Sequence, residues 1–111
     1  PPSPPAEVQT ISATEAAEKY HDHAVKLLDV RTPEEWNIVH IENSILIDRT
    51  LVEEILETWD RNTPLMLLCH HGMRSYDAAR FFTEQGFQQV YNVTGGIDAW
   101  SQEVDPSLRR Y

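Results

Sequence analysis

The sequence predicts an α/β fold in which a parallel β-sheet is covered by helices on both faces. Short apolar stretches alternate with segments of helical periodicity along the 111 residues, which is the pattern of repeated strand and helix units. Strands as apolar as the stretch 65–68 are typical of parallel sheets, because such strands are buried on both faces. The hydrophobic content of 41% provides enough apolar material for one core, and this chain length fits one domain.

Helix caps and turn residues divide the chain into five strands and five helices. Ser12 with Glu15, and Thr32 with Glu35, have the spacing of a capping box, so each pair predicts a helix N-terminus. Gly86 is predicted to end the fourth helix, since glycine readily adopts the backbone conformation that follows a helix. The predicted strands are 8–11, 25–29, 44–47, 65–68 and 90–93, and the predicted helices are 12–20, a short one from 33 that carries Trp36, 51–59, 76–85 and 97–101.

The composition excludes several classes of function. The net charge is −9, so we expect no nucleic-acid partner and no membrane partner, because both phosphate backbones and lipid head groups repel an acidic surface. No stretch has the length of a transmembrane helix. A single cysteine excludes an intramolecular disulfide and favours a reducing, cytoplasmic location. Any anionic substrate must therefore be attracted by local positive groups, against the negative electrostatic field of the whole protein.

The two ends of the chain differ in composition from the rest. Four of the first five residues are proline, which is typical of a polyproline linker. We therefore expect residues 1–7 to be a linker or tail, residues 8–104 to be the domain, and residues 105–111 to be a C-terminal tail. Two interpretations of the start stay open, a linker to a fused upstream domain and a processed or tag-derived tail.

The single cysteine, Cys69, lies between the apolar strand 65–68 and the fourth predicted helix. In open parallel sheets, sites form at the carboxyl ends of strands. A second polar cluster, Asp29-Val30-Arg31, also follows a predicted strand. Both clusters are therefore expected at the same edge of the sheet, and a thiol there before a helix N-terminus is typical of a reactive thiolate.

The residues after the cysteine have the chemistry of an anion-binding loop. Gly72 allows a turn that points successive backbone N–H groups inward, and Arg74 brings a permanent positive charge. Ser75 is predicted to be the N-cap of the fourth helix. His70 and His71 would add positive charge when protonated. These features favour a thiolate over the alternative of a buried structural cysteine.

Three other chemistries could use the residues of this loop. Tyrosine-phosphatase-like enzymes need a His-Cys pair and one residue more before the arginine, whereas Leu68 precedes Cys69 here and four residues separate Cys69 from Arg74. A Cys-His-Asp triad would need distant partners such as His40 and Asp48. A zinc site is disfavoured because adjacent ligands on one short loop converge poorly on a tetrahedral ion. The possible zinc ligands are Cys69, His70 and His71, with His21 and His23.

Four motifs occur in a fixed order along residues 11–100. They are Leu28-Asp29-Val30-Arg31-Thr32-Pro33-Glu34-Glu35-Trp36, then His40-Ile41 with Asn43-Ser44-Ile45, then the loop from Cys69 to Ser75, and finally Gly95-Gly96-Ile97-Asp98-Ala99-Trp100. Together they resemble the single-domain rhodanese (thiosulfate sulfurtransferase-like) family, because four ordered motifs are jointly specific although each alone is weak.

The resemblance implies a rhodanese fold with a five-stranded parallel sheet, and a sulfurtransferase mechanism. Cys69 would attack the sulfane sulfur of a small anionic donor such as thiosulfate and become a persulfide, and a thiol or cyanide acceptor would then remove that sulfur. The resemblance implies neither a cofactor nor a metal. The alternative is a persulfide-relay or interaction module of a larger protein, which acts on a protein thiol and has little free thiosulfate activity.

The resemblance also implies roles for particular residues. Backbone N–H groups of the loop would cradle the persulfide, and Arg74 would help to hold the anionic donor. The residue after the cysteine is often arginine in the family, and His70 in its place leaves the donor preference open. The predicted substrate-binding residues are His70, His71, Gly72, Met73, Arg74 and Ser75, with Asp29 and Arg31 as supporting residues.

Plainer roles are expected for the flanking residues. We interpret Asp29 as structural, Arg31 as either reaching the site or pairing with an acid, and Glu34 with Glu35 as a solvated helix face. The double glycine at 95–96 is expected to permit a tight turn. The three tryptophans, Trp36, Trp59 and Trp100, are expected in the core.

Overall fold

The computed structural model describes residues 7–22 and 24–111, and within these ranges five strands form one sheet. All pairings are parallel, and the strand order is β1-β5-β4-β2-β3. The predicted α/β fold is confirmed. The proline-rich start lies outside the described residues. The strands are β1 (Gln9–Ile11), β2 (Lys26–Asp29), β3 (Ile45–Leu46), β4 (Leu65–Leu68) and β5 (Val90–Val93).

Five helices connect and cover the strands in the described ranges. They are α1 (Ala13–His21), α2 (Pro33–Ile38), α3 (Arg49–Thr58), α4 (Met73–Glu84) and α5 (Gly96–Glu103). Among the described residues, no helix is both long enough and apolar enough to span a lipid bilayer.

The caps explain where several of these helices begin and end. Thr32 and Glu35 form the complete predicted capping box at the start of α2. The Ser12 hydroxyl accepts the Glu15 backbone N–H at the start of α1, as predicted for a capping residue. Asp48 caps α3, which therefore begins two residues before its predicted start. Gly86 has the positive φ of 100° that ends α4 as expected.

The core is divided between the two faces of the sheet. One cluster joins alternate strand residues such as Met66 and Leu68 to α1 and α5, and it includes Trp100. The other cluster joins Leu65 and Leu67 to the helices on the opposite face, with Trp59 packed against it. Trp36 differs from the prediction, because it is only partly buried and stacks on the exposed ring of His40.

A buried ion pair stabilises the end of β2. Asp29 is its last residue, and its carboxylate accepts from the Nε and Nη2 atoms of Arg31 at 2.7–3.1 Å, with both side chains fully buried. Arg31 Nη2 also donates to the carbonyl of Val39 at 2.7 Å, and Nη1 donates to the carbonyl of Glu35 at 3.3 Å. Asp29 is therefore structural, and Arg31 pairs with an acid while holding α2 against the sheet.

We expect Asp29→Asn to reduce the free energy of unfolding by about 3–5 kcal/mol, because it leaves the buried guanidinium without a compensating charge. Urea denaturation measures this loss. The matched control is Asp48→Asn, since asparagine caps a helix as well as aspartate does. A loss for Asp29→Asn below about 1 kcal/mol would show that the carbonyl contacts of Arg31 suffice without the carboxylate.

Candidate active site

The thiol of Cys69 lies where the central strand β4 ends. Asp29 of β2 and Asn92 of β5 lie beside this end of β4, opposite Leu68 and Leu67 respectively, and Val30 donates its N–H to the Leu68 carbonyl at 2.9 Å. Only 1% of the Cys69 surface is exposed. The sheet therefore brings the two predicted polar clusters together at its carboxyl edge, and access to Sγ is restricted.

The loop after Cys69 turns sharply at Gly72, which has φ 99° and ψ 0° and is the N-cap of α4. The prediction that Ser75 is the N-cap is therefore wrong. Because glycine adopts this left-handed conformation without a steric penalty, α4 begins at Met73, and Ser75 lies in its first turn with a buried side chain. The earlier start places Ser75 within reach of the thiol.

Hydrogen-bond donors converge on the Cys69 sulfur. The Gly72 N–H lies 3.0 Å from Sγ, and the Ser75 hydroxyl lies 3.3 Å from it. The Ser75 hydroxyl is also 2.5 Å from Asn92 Oδ1, while Asn92 Nδ2 donates to the Gly72 carbonyl at 3.0 Å. The Ser75 hydroxyl has one proton, for which Sγ and Asn92 Oδ1 compete, whereas the Asn92 amide holds the Gly72 carbonyl in place. Sequence reasoning missed Asn92. The available signal was a lone amide within a buried strand, since such a group must find partners.

The same donors determine the acidity of the thiol. Burial by itself raises the pKa of Cys69, because it disfavours the charged form. Hydrogen bonds from the Ser75 hydroxyl and from the backbone N–H groups of Ser75, Gly72 and His71 stabilise the thiolate and outweigh that effect. The pKa of Cys69 is therefore below its ordinary value, as a nucleophilic thiolate requires.

The N-terminus of α5 holds the outer side of the loop. Ile97 donates its N–H to the Cys69 carbonyl at 2.8 Å, and Asp98 donates to the His70 carbonyl at 3.2 Å. Gly96 makes this approach possible, because a Cβ there would lie 2.5 Å from the His70 carbonyl oxygen and closer still to that of Cys69. The double glycine therefore permits a tight turn, as predicted, and also a close contact with the loop.

The guanidinium of Arg74 forms a two-point ion pair with Glu35 of α2. Nη1 lies 2.7 Å from Oε1, and Nη2 lies 2.9 Å from Oε2. The interpretation of Glu35 as part of a solvated face is wrong, because its side chain is only 18% exposed, whereas Glu34 is exposed as expected. The hydrogen bonds from Arg74 are the main reason why the pKa of Glu35 lies far below its usual range.

Tyr111 covers the loop from the C-terminal segment. Its hydroxyl donates to Glu35 Oε2 at 2.7 Å and accepts from Arg31 Nη1 at 2.9 Å. Its ring stacks on His70 with centroids 3.9 Å apart, and its backbone oxygen lies 2.9 Å from His70 Nε2. Sequence reasoning treated residues 105–111 only as a tail, because nothing local links position 111 to a loop some forty residues away.

The family model described as a rhodanese-like domain matches residues 12–103. The chain belongs to the rhodanese-like domain family. It is 34% identical over 88 residues to the thiosulfate sulfurtransferase GlpE of Pseudomonas aeruginosa strain LESB58, an alignment that covers 79% of this chain and 80% of that protein. Family membership and the fold predicted from the four motifs are therefore confirmed.

Solved structures show the same fold. A rhodanese-like domain protein from Staphylococcus aureus has a TM-score of 0.74 and 28% identity, covering 93% of this chain and 98% of that one. The reduced CoADR-RHD of Bacillus anthracis has a TM-score of 0.76 and 30% identity, covering 91% of this chain but 18% of that one. The fold of this chain thus matches both a protein of similar length and part of a longer chain.

Within this rhodanese-like site, the remaining predicted residues face outward. Met73 is 81% exposed and lines a surface groove of about 520 Å³ beside the loop, together with His71. His71 Nε2 lies 4.0 Å from the carboxylate of Asp98. These residues surround the approach to the loop, while the donors to the thiol come from Gly72 and Ser75.

In the described ranges, the group of side chains that could hold a metal ion differs from the zinc ligands that the sequence suggests. Ligand atoms of His70, His71 and Asp98 lie within 4.8 Å of one another. Asp98 already accepts hydrogen bonds from Arg110 at 2.8 Å and Gln102 at 3.0 Å, and these compete for the same oxygens. The Cys69 sulfur is instead surrounded by hydrogen-bond donors. Of the other two histidines considered, His21 ends α1 and His23 lies outside the described residues.

The distant triad partners have structural contacts of their own. His40 stacks on Trp36 and its Nδ1 lies 3.0 Å from the Trp36 carbonyl oxygen. Asp48 accepts the Leu51 N–H as the cap of α3. Local contacts therefore account for the positions of both side chains.

We expect Gly96→Ala to destabilise the domain by about 2 kcal/mol more than Gly86→Ala does. Both glycines have positive φ, but 60° at Gly96 strains an alanine less than 100° at Gly86 does, and a Cβ at Gly86 would meet only ordinary contacts at 3.8 Å. Urea denaturation of both variants isolates the effect of the close contact with the loop. Equal losses would contradict this role for Gly96.

We expect Ser75→Ala to raise the pKa of Cys69, because the thiolate loses the hydroxyl donor that lowers it. The pH dependence of iodoacetamide alkylation should therefore move to higher pH. Thr83→Ala is the matched control, since it removes a hydroxyl from the same helix that donates to the Ala79 carbonyl. An unchanged alkylation profile in Ser75→Ala would contradict the proposed stabilisation.

Proposed function

We propose that this rhodanese-like domain is a sulfurtransferase that carries sulfane sulfur on Cys69. The observation that carries the proposal is the convergence of loop N–H groups, with that of Gly72 at 3.0 Å, on a thiol whose pKa lies below its ordinary value. The thiosulfate sulfurtransferase named among its relatives, at 34% identity, supports the same reaction class. A thiolate surrounded by hydrogen-bond donors can act as a nucleophile, and the same donors can stabilise the persulfide anion that it forms.

In the first half-reaction, the Cys69 thiolate attacks the outer, sulfane sulfur of thiosulfate. A new S–S bond forms on Cys69 while the S–S bond of thiosulfate breaks, and its electron pair leaves with sulfite. The product is an anionic Cys69 persulfide, so the total charge is conserved. The loop N–H groups and the Ser75 hydroxyl that stabilise the thiolate are suited to stabilising the terminal persulfide sulfur as well.

In the second half-reaction, a thiolate or cyanide attacks the outer sulfur of the persulfide. The Cys69–sulfur bond breaks, its electron pair returns to Cys69, and the acceptor leaves as a persulfide or as thiocyanate. The Cys69 thiolate is thereby regenerated without an oxidant or a reductant. The groove beside the loop, lined by Met73 and His71, is the approach that we assign to the acceptor.

The size of the loop favours sulfur over phosphate. Four residues separate Cys69 from Arg74, one fewer than in tyrosine-phosphatase-like loops. The Cys69 carbonyl and the His70 carbonyl are also fixed by α5, which limits how far the loop can widen. A cradle of this size suits one additional sulfur atom rather than a tetrahedral phosphoryl group.

A persulfide-relay module of a larger protein is the second candidate. It is favoured by the match to CoADR-RHD, of which this chain covers only 18%. This function uses the same persulfide but passes its sulfur to a protein thiol. Slow turnover of thiosulfate with cyanide, together with fast sulfur exchange with a thiol protein, would distinguish this function from the first.

The cytoplasmic location and the lack of nucleic-acid and membrane partners stay predictions from the composition.

We expect incubation with thiosulfate to increase the intact mass of the protein by one sulfur atom, and dithiothreitol to reverse the increase. Cys69→Ser removes the chain's single thiol and should abolish both the mass increase and any thiocyanate formed with cyanide. A conservative control is Thr83→Ala, whose hydroxyl donates to the Ala79 carbonyl and not to Sγ. Absence of any persulfide with thiosulfate and with organic persulfides would refute the proposed function.

A further inference from the structure

We propose that Glu35 is a specificity-determining residue which disfavours dianionic sulfur donors and favours organic hydropersulfides, R–S–SH. The inference rests on the proposed sulfurtransferase function and names the donor class of the same site. The observation behind it is that the Glu35 carboxylate of α2 forms an ion pair with Arg74 of the loop. Glu35 would act by offsetting the charge of Arg74 rather than by touching the donor, and it is therefore a positioning residue.

The ion pair uses the part of Arg74 that would otherwise bind an anion. Both Nη atoms of the guanidinium face the two oxygens of Glu35 at 2.7 and 2.9 Å. A two-point geometry of this kind is the one in which arginine binds carboxylate and phosphate groups most effectively. Thiosulfate would therefore have to compete with a carboxylate that is already well placed.

Glu35 is held in place independently of Arg74. The Tyr111 hydroxyl donates to its Oε2 at 2.7 Å, and the Thr32 N–H reaches its Oε1 at 3.3 Å in the capping box. Arg31 in turn donates to the Tyr111 hydroxyl. Because these contacts would persist if Arg74 moved, an incoming anion gains little by displacing the guanidinium from Glu35.

Two further arginines near the loop are also paired. Arg31 is bound to Asp29, and Arg110 is bound to Asp98 at 2.8 Å. The charges of these two arginines, like that of Arg74, are each offset by one carboxylate. His70 and His71 face the same region and add positive charge only when protonated. These three arginines therefore add no net positive charge to the loop, which offers a dianion N–H donors within a chain of net charge −9.

A hydropersulfide avoids this restriction because it carries at most one negative charge. The Cys69 thiolate attacks its outer sulfur, the S–S bond of the donor breaks, and the thiolate RS⁻ leaves with the electron pair. The proton of the donor stays on the transferred sulfur, so the product is Cys69–S–SH and charge is balanced. No step requires a cation to bind the donor, and the N–H donors at Sγ remain available.

Glu35→Gln tests the inference against Glu34→Gln as the matched control. Glutamine at this position preserves the capping box, whereas it removes the charge that offsets Arg74. Glu34 is the neighbouring exposed carboxylate on the same helix. The two donors are thiosulfate and the hydropersulfide of 2-mercaptoethanol, with cyanide as acceptor and at constant ionic strength.

For Glu35→Gln we expect kcat/KM for thiosulfate to rise roughly fivefold to tenfold, mainly through a lower KM, because a dianion then meets an unpaired guanidinium. For the hydropersulfide, kcat/KM should change by less than about twofold. Glu34→Gln should leave the ratio of the two donors unchanged. A merely structural role for Glu35 would lower both activities together and leave their ratio constant, and that result would overturn the inference.

Arg74→Gln provides a second test in the opposite direction, which stays informative if Glu35→Gln folds poorly. It leaves the Glu35 carboxylate unpaired, so thiosulfate should lose several-fold more kcat/KM than the hydropersulfide does. Equal losses for both donors would overturn the inference while persulfide formation still supported the proposed function. If neither donor loads Cys69 in the unmodified protein, both proposals fail.

Discussion

The structure of the site depends on two backbone hydrogen bonds between the loop and the N-terminus of α5. Ile97 and Asp98 donate to the carbonyls of Cys69 and His70, so these carbonyls point away from the thiol. Because the carbonyls are directed outward, the N–H groups of the following residues are free to face the sulfur. Gly96 permits the contact, since no Cβ fits between the helix and the loop. The loop is therefore held between two helix N-termini: that of α5 binds its carbonyls, and that of α4 provides donors to the thiolate.

A second layer of contacts fixes the charge of the site. The buried Asp29–Arg31 pair anchors the start of α2, and α2 brings Glu35 to Arg74. Tyr111 connects the two pairs through its hydroxyl. In this acidic protein, oriented N–H dipoles thus lower the pKa of the Cys69 thiol without a large excess of positive charge. Under the proposed function, nucleophilicity and donor selection would be controlled by different groups, the first by Gly72 and Ser75 and the second by the Glu35 carboxylate.

Much of the fold and the position of the Cys69 thiol were predictable from local patterns. The strand Leu65–Leu68 and the strand Val90–Val93 have the predicted bounds, because buried apolar runs flanked by turn residues leave little ambiguity. Cys69 follows directly from its place after the central strand. The start of α4 was predicted too late, because serine is a common cap and the left-handed conformation of Gly72 is established only when the loop packs against β5 and α5. Glu35 was assigned to solvent, because its partner lies 39 residues away.

The sequence by itself determined the α/β class, the one available thiol, the length of its loop and the order of the four motifs. These are local properties, fixed by hydrophobic period, by capping chemistry and by spacing along the chain. Only the tertiary structure decided which groups surround that thiol and which charges remain unpaired. Asn92, Glu35 and Tyr111 reach the loop through contacts that are distant in the chain, and a hydrogen bond depends on distances in space that one-dimensional spacing does not contain. Whether Arg74 presents a free cation or a neutralised pair is therefore a property of the fold.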